Sequence, residues 1–218
     1  MCAMNNGKHA ACEVPIAETL EQCWQLVDTA EKTQRHCMML ENCCYGEIEM
    51  MLLNMCRQGV FGDLTRGEAA YLHDLRGVLH DLNSEGAWRL APHQKWDGNY
   101  YPTHGLGPVA QYMNIDRGDR FDHLVSMSSK PASLREWEEK HLKPSDPRLG
   151  KKIVGGDLNS SFIRTAMGRI ILVQHDVVSP EPYSRLNTIG GTKGIFRDYP
   201  PRIYIEGATK GESWHEID

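Results

Sequence analysis

No apolar run in this chain approaches the ~18 residues that a membrane-crossing helix needs; the longest candidate, Ile170 to Val173, is strand-sized. The stretch from Met1 to Lys8 lacks the apolar core of a secretory signal, so no export address is visible. Lys and Arg never run beyond a pair such as Lys151-Lys152, and 24 basic against 29 acidic residues leave a formal net charge of -5. With no basic stripe to track a phosphate backbone, nucleic acid is not an expected partner. No C-x-x-C pair is present, which removes support for a zinc ribbon. The seven cysteines, Cys2, Cys12, Cys23, Cys37, Cys43, Cys44 and Cys56, are odd in number and confined to the first 56 residues. A disulfide scaffold would spread them through the fold, so buried, reduced thiols in a reducing compartment are the expectation. There is no G-x-G-x-x-G phosphate-binding turn, no G-x-S-x-G nucleophile elbow and no H-E-x-x-H zinc helix. No carboxylate pair for ordinary glycoside hydrolysis stands out either.

What is present is an ordinary globular composition: 40% hydrophobic, 24% charged, 20 Gly and 11 Pro in 218 residues. That length fits one large domain, or one domain and part of another. Residues 7–14 read as a short buried strand that Pro15 stops. Over residues 17–31 the positions Leu20, Cys23, Trp24, Val27 and Ala30 fall on one helical face. Cys37–Leu40 has the length and flanks of a second buried strand, and Ile48, Met51, Leu52 and Met55 mark a helix over 46–58 capped by Gly59. Strand–helix–strand at this spacing predicts a parallel crossover. The rhythm then changes. Strand patterns recur at 65–72, 121–127, 160–166, 169–177 and Arg202–Ile205, with Met167-Gly168 as a hairpin turn and a helix over 104–113. Residues 73–102 are a polar stretch containing Gly, Trp and Pro, and the charged, Pro- and Gly-rich 130–156 read as a surface excursion. The expected fold class is therefore α/β plus α+β. Residues 1–60 read as a small parallel α/β remnant and 61–218 as an α+β domain on an open, mainly antiparallel sheet; either the fold is not dinucleotide-binding or the remnant lacks the first half of a doubly wound sheet.

Four groups of residues can carry chemistry. Glu13, followed by Val14 and Pro15, and the pair Glu41-Asn42 sit at the ends of the two parallel strands, where α/β sheets bind ligands; Glu13 is equally readable as a solvated loop carboxylate. Tyr101-Pro102-Thr103-His104 places a phenol and an imidazole three residues apart at a helix mouth, suited to proton transfer near neutrality; a polar cap is the plainer reading of the same His. Trp88-Arg89 joins a donor fork to an aromatic face that also fits a core position. Pro182-Tyr183-Ser184-Arg185 follows the strand that carries His175 and Asp176, whose side chains must point to opposite faces and form no dyad.

These residues are recognisable. Residues 7–15, GKHAACEVP, resemble the strand bearing the Glu-Lys-Pro signature of the Gfo/Idh/MocA oxidoreductase superfamily. HCMMLENCCYG (36–46), NMCRQG (54–59), GEAAY (67–71), YPTHGLGP (101–108), YMNIDRGD (112–119) and PYSR (182–185) resemble one branch of it, glycoside hydrolase family 109, the NAD-dependent α-N-acetylgalactosaminidases. The resemblance implies a fragment that begins late in a Rossmann domain and ends short of the family's C-terminus. It implies NAD as cofactor and a reaction by oxidation at sugar C3, loss of the C2 proton, elimination, water addition and reduction, with net retention. Glu13, Val14, Asn42, Arg89, Tyr101, Pro102, Thr103 and His104 are then expected at NAD, and Tyr71, Tyr101 and Tyr183 at the sugar. His104, assisted by Tyr101, becomes the acid/base, and no metal is implied. Val14 stands where many superfamily dehydrogenases carry a catalytic Lys, which favours the hydrolase branch over a simple sugar dehydrogenase. The alternatives are an NAD(P)-dependent sugar oxidoreductase of the same superfamily or a non-catalytic remnant. The open sheet is expected to serve as a homo-oligomer interface.

Overall fold

The structure, a computed structural model, describes residues 1–217. A short helix α1 (Cys2–Asn5) precedes strand β1 (Ala10–Glu13), helix α2 (Leu20–Thr33) and strand β2 (Cys37–Leu40). Thr19 and Gln22 close a capping box at the start of α2. β1 and β2 pair in parallel, Ala10 opposite Cys37 and Glu13 opposite Leu40, so Glu13 and Glu41 end neighbouring strands. After a 3-10 turn (Asn42–Cys44), helix α3 (Glu47–Arg57) begins with two glutamates in its first turn, where its dipole favours them. It ends in a Schellman pattern, Val60 N–H to Met55 O at 3.1 Å and Gly59 N–H to Cys56 O at 3.0 Å, with Gly59 at φ 71°.

The remaining strands are β3 (Leu64–Leu72), β4 (Phe121–Ser128), β5 (Asn159–Thr165), β6 (Ile170–Asp176), β7 (Thr188–Gly191), β8 (Gly194–Arg197), β9 (Arg202–Ile205) and β10 (His215–Glu216). They form one open sheet in the order β10-β9-β8-β7-β3-β6-β5-β4, antiparallel throughout except for the central β3–β6 pair. Helices α4 (Arg76–His80), α5 (Leu90–Lys95), α6 (Thr103–Tyr112) and α7 (Ser133–His141) complete the chain. α3 and α6 cover one sheet face: Leu52, Leu53, Val109, Tyr112 and Met113 bury against Ala69, Ile163, Ile171, Val173 and Ile189. Gly67 makes this contact close, since a Cβ there would lie 2.5 Å from Val109 Cγ1. A second core at the C-terminal ends of β3 and β6 gathers Tyr71, Leu75, Leu79, Tyr101, Leu134, Ile153, Val177 and Val178, with Val14 and Trp88 packed on it.

Several sequence expectations are corrected. β1 and β2 are not buried strands: Ala11, Cys12, Glu13, Met38 and Leu40 are exposed, because among the described residues these two strands pair only with each other. The apolar stripe of α2 faces solvent, with Leu20 75% and Trp24 62% exposed. The cysteines are all free, but only Cys44 is buried; Cys2, Cys12 and Cys23 are exposed. The polar stretch 73–102, which the pattern leaves without elements, holds α4 and α5. Residues 130–156 are not a mere surface excursion, since α7 inserts Leu134 and Glu138, and Glu138 Oε1 meets His80 Nε2 of α4 at 2.9 Å. No helix of the described residues is long and apolar enough to cross a membrane.

Candidate functional site

The site forms where the C-terminal end of β3, the start of α6 and the ends of β1 and β2 converge. β3 delivers Tyr71 near its end, with His73 beyond. Residues 184 and 185 run back along the same strand: Ser184 N–H donates to Leu72 O at 3.0 Å, and Ala70 N–H donates to Arg185 O at 2.8 Å. This pairing brings Tyr183 to the rings of Tyr71 and His73, with centroids 6.1 and 5.2 Å away. Arg185 is itself locked, its Nη2 2.8 Å from buried Glu49 Oε1 on α3 and its Nε donating to Tyr199 Oη at 2.9 Å.

α6 reaches the site because glycine lets it settle onto β3. A Cβ at Gly105 would lie 2.4 Å from Ala70 N and 2.5 Å from Ala70 O. Pro102 caps the helix and Thr103 opens it. Asn99 Oδ1 accepts from Tyr101 N–H at 3.0 Å and shapes the turn before it. The Tyr101 ring then stands 5.3 Å from Tyr71 and 4.8 Å from His104, and His104 is 5.3 Å from Tyr71. Tyr101 Oη donates to Val14 O at 3.4 Å, joining the helix mouth to the end of β1. His104 Nδ1 lies 2.7 Å from Glu41 Oε1 at the end of β2. The Arg89 guanidinium stacks 4.6 Å from the Trp88 ring and 5.2 Å from the Tyr101 ring.

Thus Tyr71, Tyr101, His104, Tyr183, Arg89 and Val14 meet in one cluster. Glu13 and Asn42 lie at its edge, both exposed, on the two parallel strand ends. His175 joins from β6, its buried ring 6.4 Å from Tyr71, while Asp176 turns away to accept from Val178 and Ser179 N–H, both at 2.9 Å. The nearness of His73 and the Glu41–His104 contact were not read from the sequence. No local pattern marks either, because each depends on chain pairing over a distance.

Burial sets the charge states. It pushes the Tyr101 phenol up to about 12, against the pull of Arg89, and raises Tyr71 and Tyr183 as well. Burial also acts to raise Glu41, but the bond and charge of His104 and the Cys43 N–H outweigh it, so its carboxyl stays below the usual range. Cys43 beside it is pushed up to about 11 by burial. Ligand atoms of Glu41, Cys43 and His104 lie within 4.8 Å of one another. With Glu41 and the His104 Nδ1 already engaged with each other and the thiol protonated, the trio reads as a hydrogen-bonded pair with a neighbouring neutral Cys. Buried Arg89 Nε, His73 Nδ1 and Asn99 Nδ2 have no partner among the described residues. Arg89 and Asn99 line adjoining hollows that share Trp88, Pro92 and Tyr100, and unpaired polar atoms there fit a polar ligand. The exposed polar groups Glu13 and Asn42 at the ends of β1 and β2 have the chemistry to meet the amide end of a dinucleotide, whereas no glycine-rich turn for its pyrophosphate is in the sequence.

Residues 45–218 match the glycosyl hydrolase 109 C-terminal domain. Over 218 residues, all of this chain and 50% of the relative, it is 57% identical to a glycosyl hydrolase family 109 protein of Solibacter usitatus. Over 217 residues, 99% of this chain and 47% of the relative, it is 55% identical to one of Shewanella baltica. The chain spans about half the length of the curated relatives it matches. Among solved structures it resembles an NAD binding oxidoreductase from Klebsiella pneumoniae, with TM-score 0.75 and 15% identity over 100% of this chain and 56% of that one. It also resembles a levoglucosan dehydrogenase in complex with NADH and levoglucosan, with TM-score 0.70 and 20% identity over 98% and 55%. At these identities the likeness shows the fold alone. By its sequence the chain belongs to glycosyl hydrolase family 109.

Proposed function

We propose that this chain is the sugar-facing part of an NAD-dependent glycosidase that removes terminal α-N-acetylgalactosamine or a similar hexosaminide. In this reading residues 1–60 are the last part of the nucleotide-binding unit and 61–218 the substrate unit. The observation that carries it is the turn Tyr101–His104, held against the end of β1 through Val14 and against the end of β2 through Glu41. Glu13, Val14, Asn42, Arg89 and the 101–104 turn would hold the nicotinamide end of NAD. When bound, NAD supplies a hydride acceptor and donor for a sugar carbon.

The chain's own residues do the rest. Tyr71 and Tyr183, kept protonated by burial, offer hydroxyl donors to the sugar, Tyr101 Oη, whose proton goes to Val14 O, offers an acceptor, and the three rings make an apolar wall that excludes water. The His104 imidazole takes and returns the proton of the sugar hydroxyl or of C2, with Tyr101 Oη assisting. Loss of a proton next to a ketone makes elimination feasible without the carboxylate pair that ordinary glycosidases need. In the complete enzyme, His104→Ala should abolish cleavage of an N-acetylgalactosaminide while NAD stays bound; normal turnover overturns the assignment. NADH accumulating in step with the sugar consumed would instead mark a sugar oxidoreductase, and absence of both reactions a non-catalytic remnant.

The outer face of the open sheet carries an apolar row, Val125, Phe162 and Leu172 in register across β4, β5 and β6, with Met127 and Ile170 exposed beside it. We propose that two copies pair through this face.

A further inference from the structure

We infer that Glu41 is the positioning residue of His104: it fixes which ring nitrogen carries the proton and leaves Nε2 as the basic atom. The inference deepens the reading above and rests on it for its consequence in turnover, though not for the geometry. An ionised carboxylate can only accept, so the 2.7 Å contact between Glu41 Oε1 and His104 Nδ1 requires the proton on Nδ1. Neutral imidazole then exposes its lone pair at Nε2, the state a proton acceptor needs.

Glu41 is held for this task from several sides. Its Oε1 also accepts from Cys43 N–H at 3.0 Å, and its backbone carbonyl accepts from Cys44 N–H at 3.2 Å. Arg185 Nη1 reaches Cys43 O at 3.4 Å and so ties the turn to the Glu49 ion pair. The partner helix is shaped to fit. A Cβ at Gly107 would lie 3.0 Å from Glu41 Cγ and 3.1 Å from Cys44 Sγ, so glycine makes room for the carboxylate. One glycine of the motif seats α6 on β3, and the other seats it on Glu41. His104 directly precedes the first of them and is bracketed by the rings of Tyr71 and Tyr101.

The test is the tautomer of His104, read by long-range nitrogen–proton NMR on this chain labelled at histidine. The Nδ1–H form should dominate the neutral ring. Glu41→Ala should invert the balance in favour of Nε2–H, and Glu41→Asp, shorter by one methylene, should shift it the same way if the alanine variant does not fold. A dominant Nε2–H form in the unaltered chain, or a balance that neither variant moves, overturns the inference. In the complete enzyme Glu41→Gln should lower kcat by about 10²-fold, the lower end of what proton transfer contributes, with KM unchanged. A rise in KM with kcat intact would mark a merely structural role and also overturn it. If the tautomer inverts as stated but His104→Ala turns over normally, the pair stands and the hydrolase reading falls.

Discussion

The phenol of Tyr101 reaches 3.4 Å across to the carbonyl of Val14, residues 87 apart in sequence, and this bond links the mouth of α6 to the end of β1. Because burial holds the phenol near 12, it is a neutral donor at any pH where the protein works. Tyr101→Phe keeps the ring contacts with Tyr71 and His104 and removes only the hydroxyl. The expected loss of stability is about 1 kcal/mol, the net worth of one such bond, measured by urea unfolding. Under the proposed mechanism, in which the same hydroxyl assists proton transfer, activity of the complete enzyme should fall far more than that figure would suggest.

Acid should unfold the protein through its histidines. Burial depresses His93 to about 4, and burial with the charges of His93 and Arg89 depresses His175 to about 3. Both rings are buried, and their centroids are 6.4 Å apart. In the unfolded chain each titrates near the ordinary value of about 6.5. Below that pH the unfolded state therefore binds more protons, and stability falls as pH drops from about 6.5 towards 4. His93→Phe should flatten this acid limb in melting curves recorded between pH 7 and 4. An unchanged slope would mean that His93 does not stay neutral.

Glu49 on α3 and Arg185 in the segment after β6 form a buried pair at 2.8 Å, and Asn187 Nδ2 donates to the same Glu49 oxygen at 3.3 Å. Removing one partner leaves a buried charge unpaired, so Glu49→Ala should cost about 3 kcal/mol or more. Replacing both by apolar residues, Glu49→Leu with Arg185→Met, should recover much of that loss. Denaturant unfolding of the single and double variants measures the difference. Under the proposed function Tyr183 contacts the sugar, and because Arg185 anchors the segment that carries it, the double variant should still weaken sugar binding.

Where packing follows a local pattern, the sequence is a good guide. Cys37–Leu40 and Arg202–Ile205 are strands over those residues, though the first is half exposed, and the amphipathic stretch 46–58 becomes α3, Glu47–Arg57. β7 and β8 escape because they are rich in glycine, which disfavours strands on its own. Here close backbone approach demands it: a Cβ at Gly191 would lie 2.4 Å from Phe61 O, and at Gly194 2.5 Å from Tyr204 O. α2 shows the converse, a regular apolar stripe that faces solvent. In the site, Tyr101 and His104 are legible because they share one helix mouth. Glu41 is 63 residues from His104, and their pairing depends on how α6 lies between two strand ends. No spacing rule encodes that.

A dinucleotide needs more than its nicotinamide end held. In this sequence Glu13, Val14, Asn42 and Arg89 can meet that end, but no G-x-G-x-x-G turn is present for the pyrophosphate. Equilibrium dialysis of this chain against NAD should therefore show weak binding or none. Tight binding would mean that the phosphates find another seat, and would overturn the placement of the cofactor at these strand ends.

The apolar row Val125, Phe162 and Leu172 crosses three strands on the face opposite α6, and Phe162 stands at its centre. An exposed apolar patch of this kind commonly marks an interface, and on a sheet face a second copy can cover it by twofold pairing. Phe162→Asp puts a charge in the middle of the row without touching the inner core, where its neighbours Ser161 and Ile163 point. Sedimentation should show a dimer for the unaltered chain and a monomer for the variant, with the melting temperature of the variant little changed at low concentration. A monomer in both cases would remove the sheet face as an interface between copies.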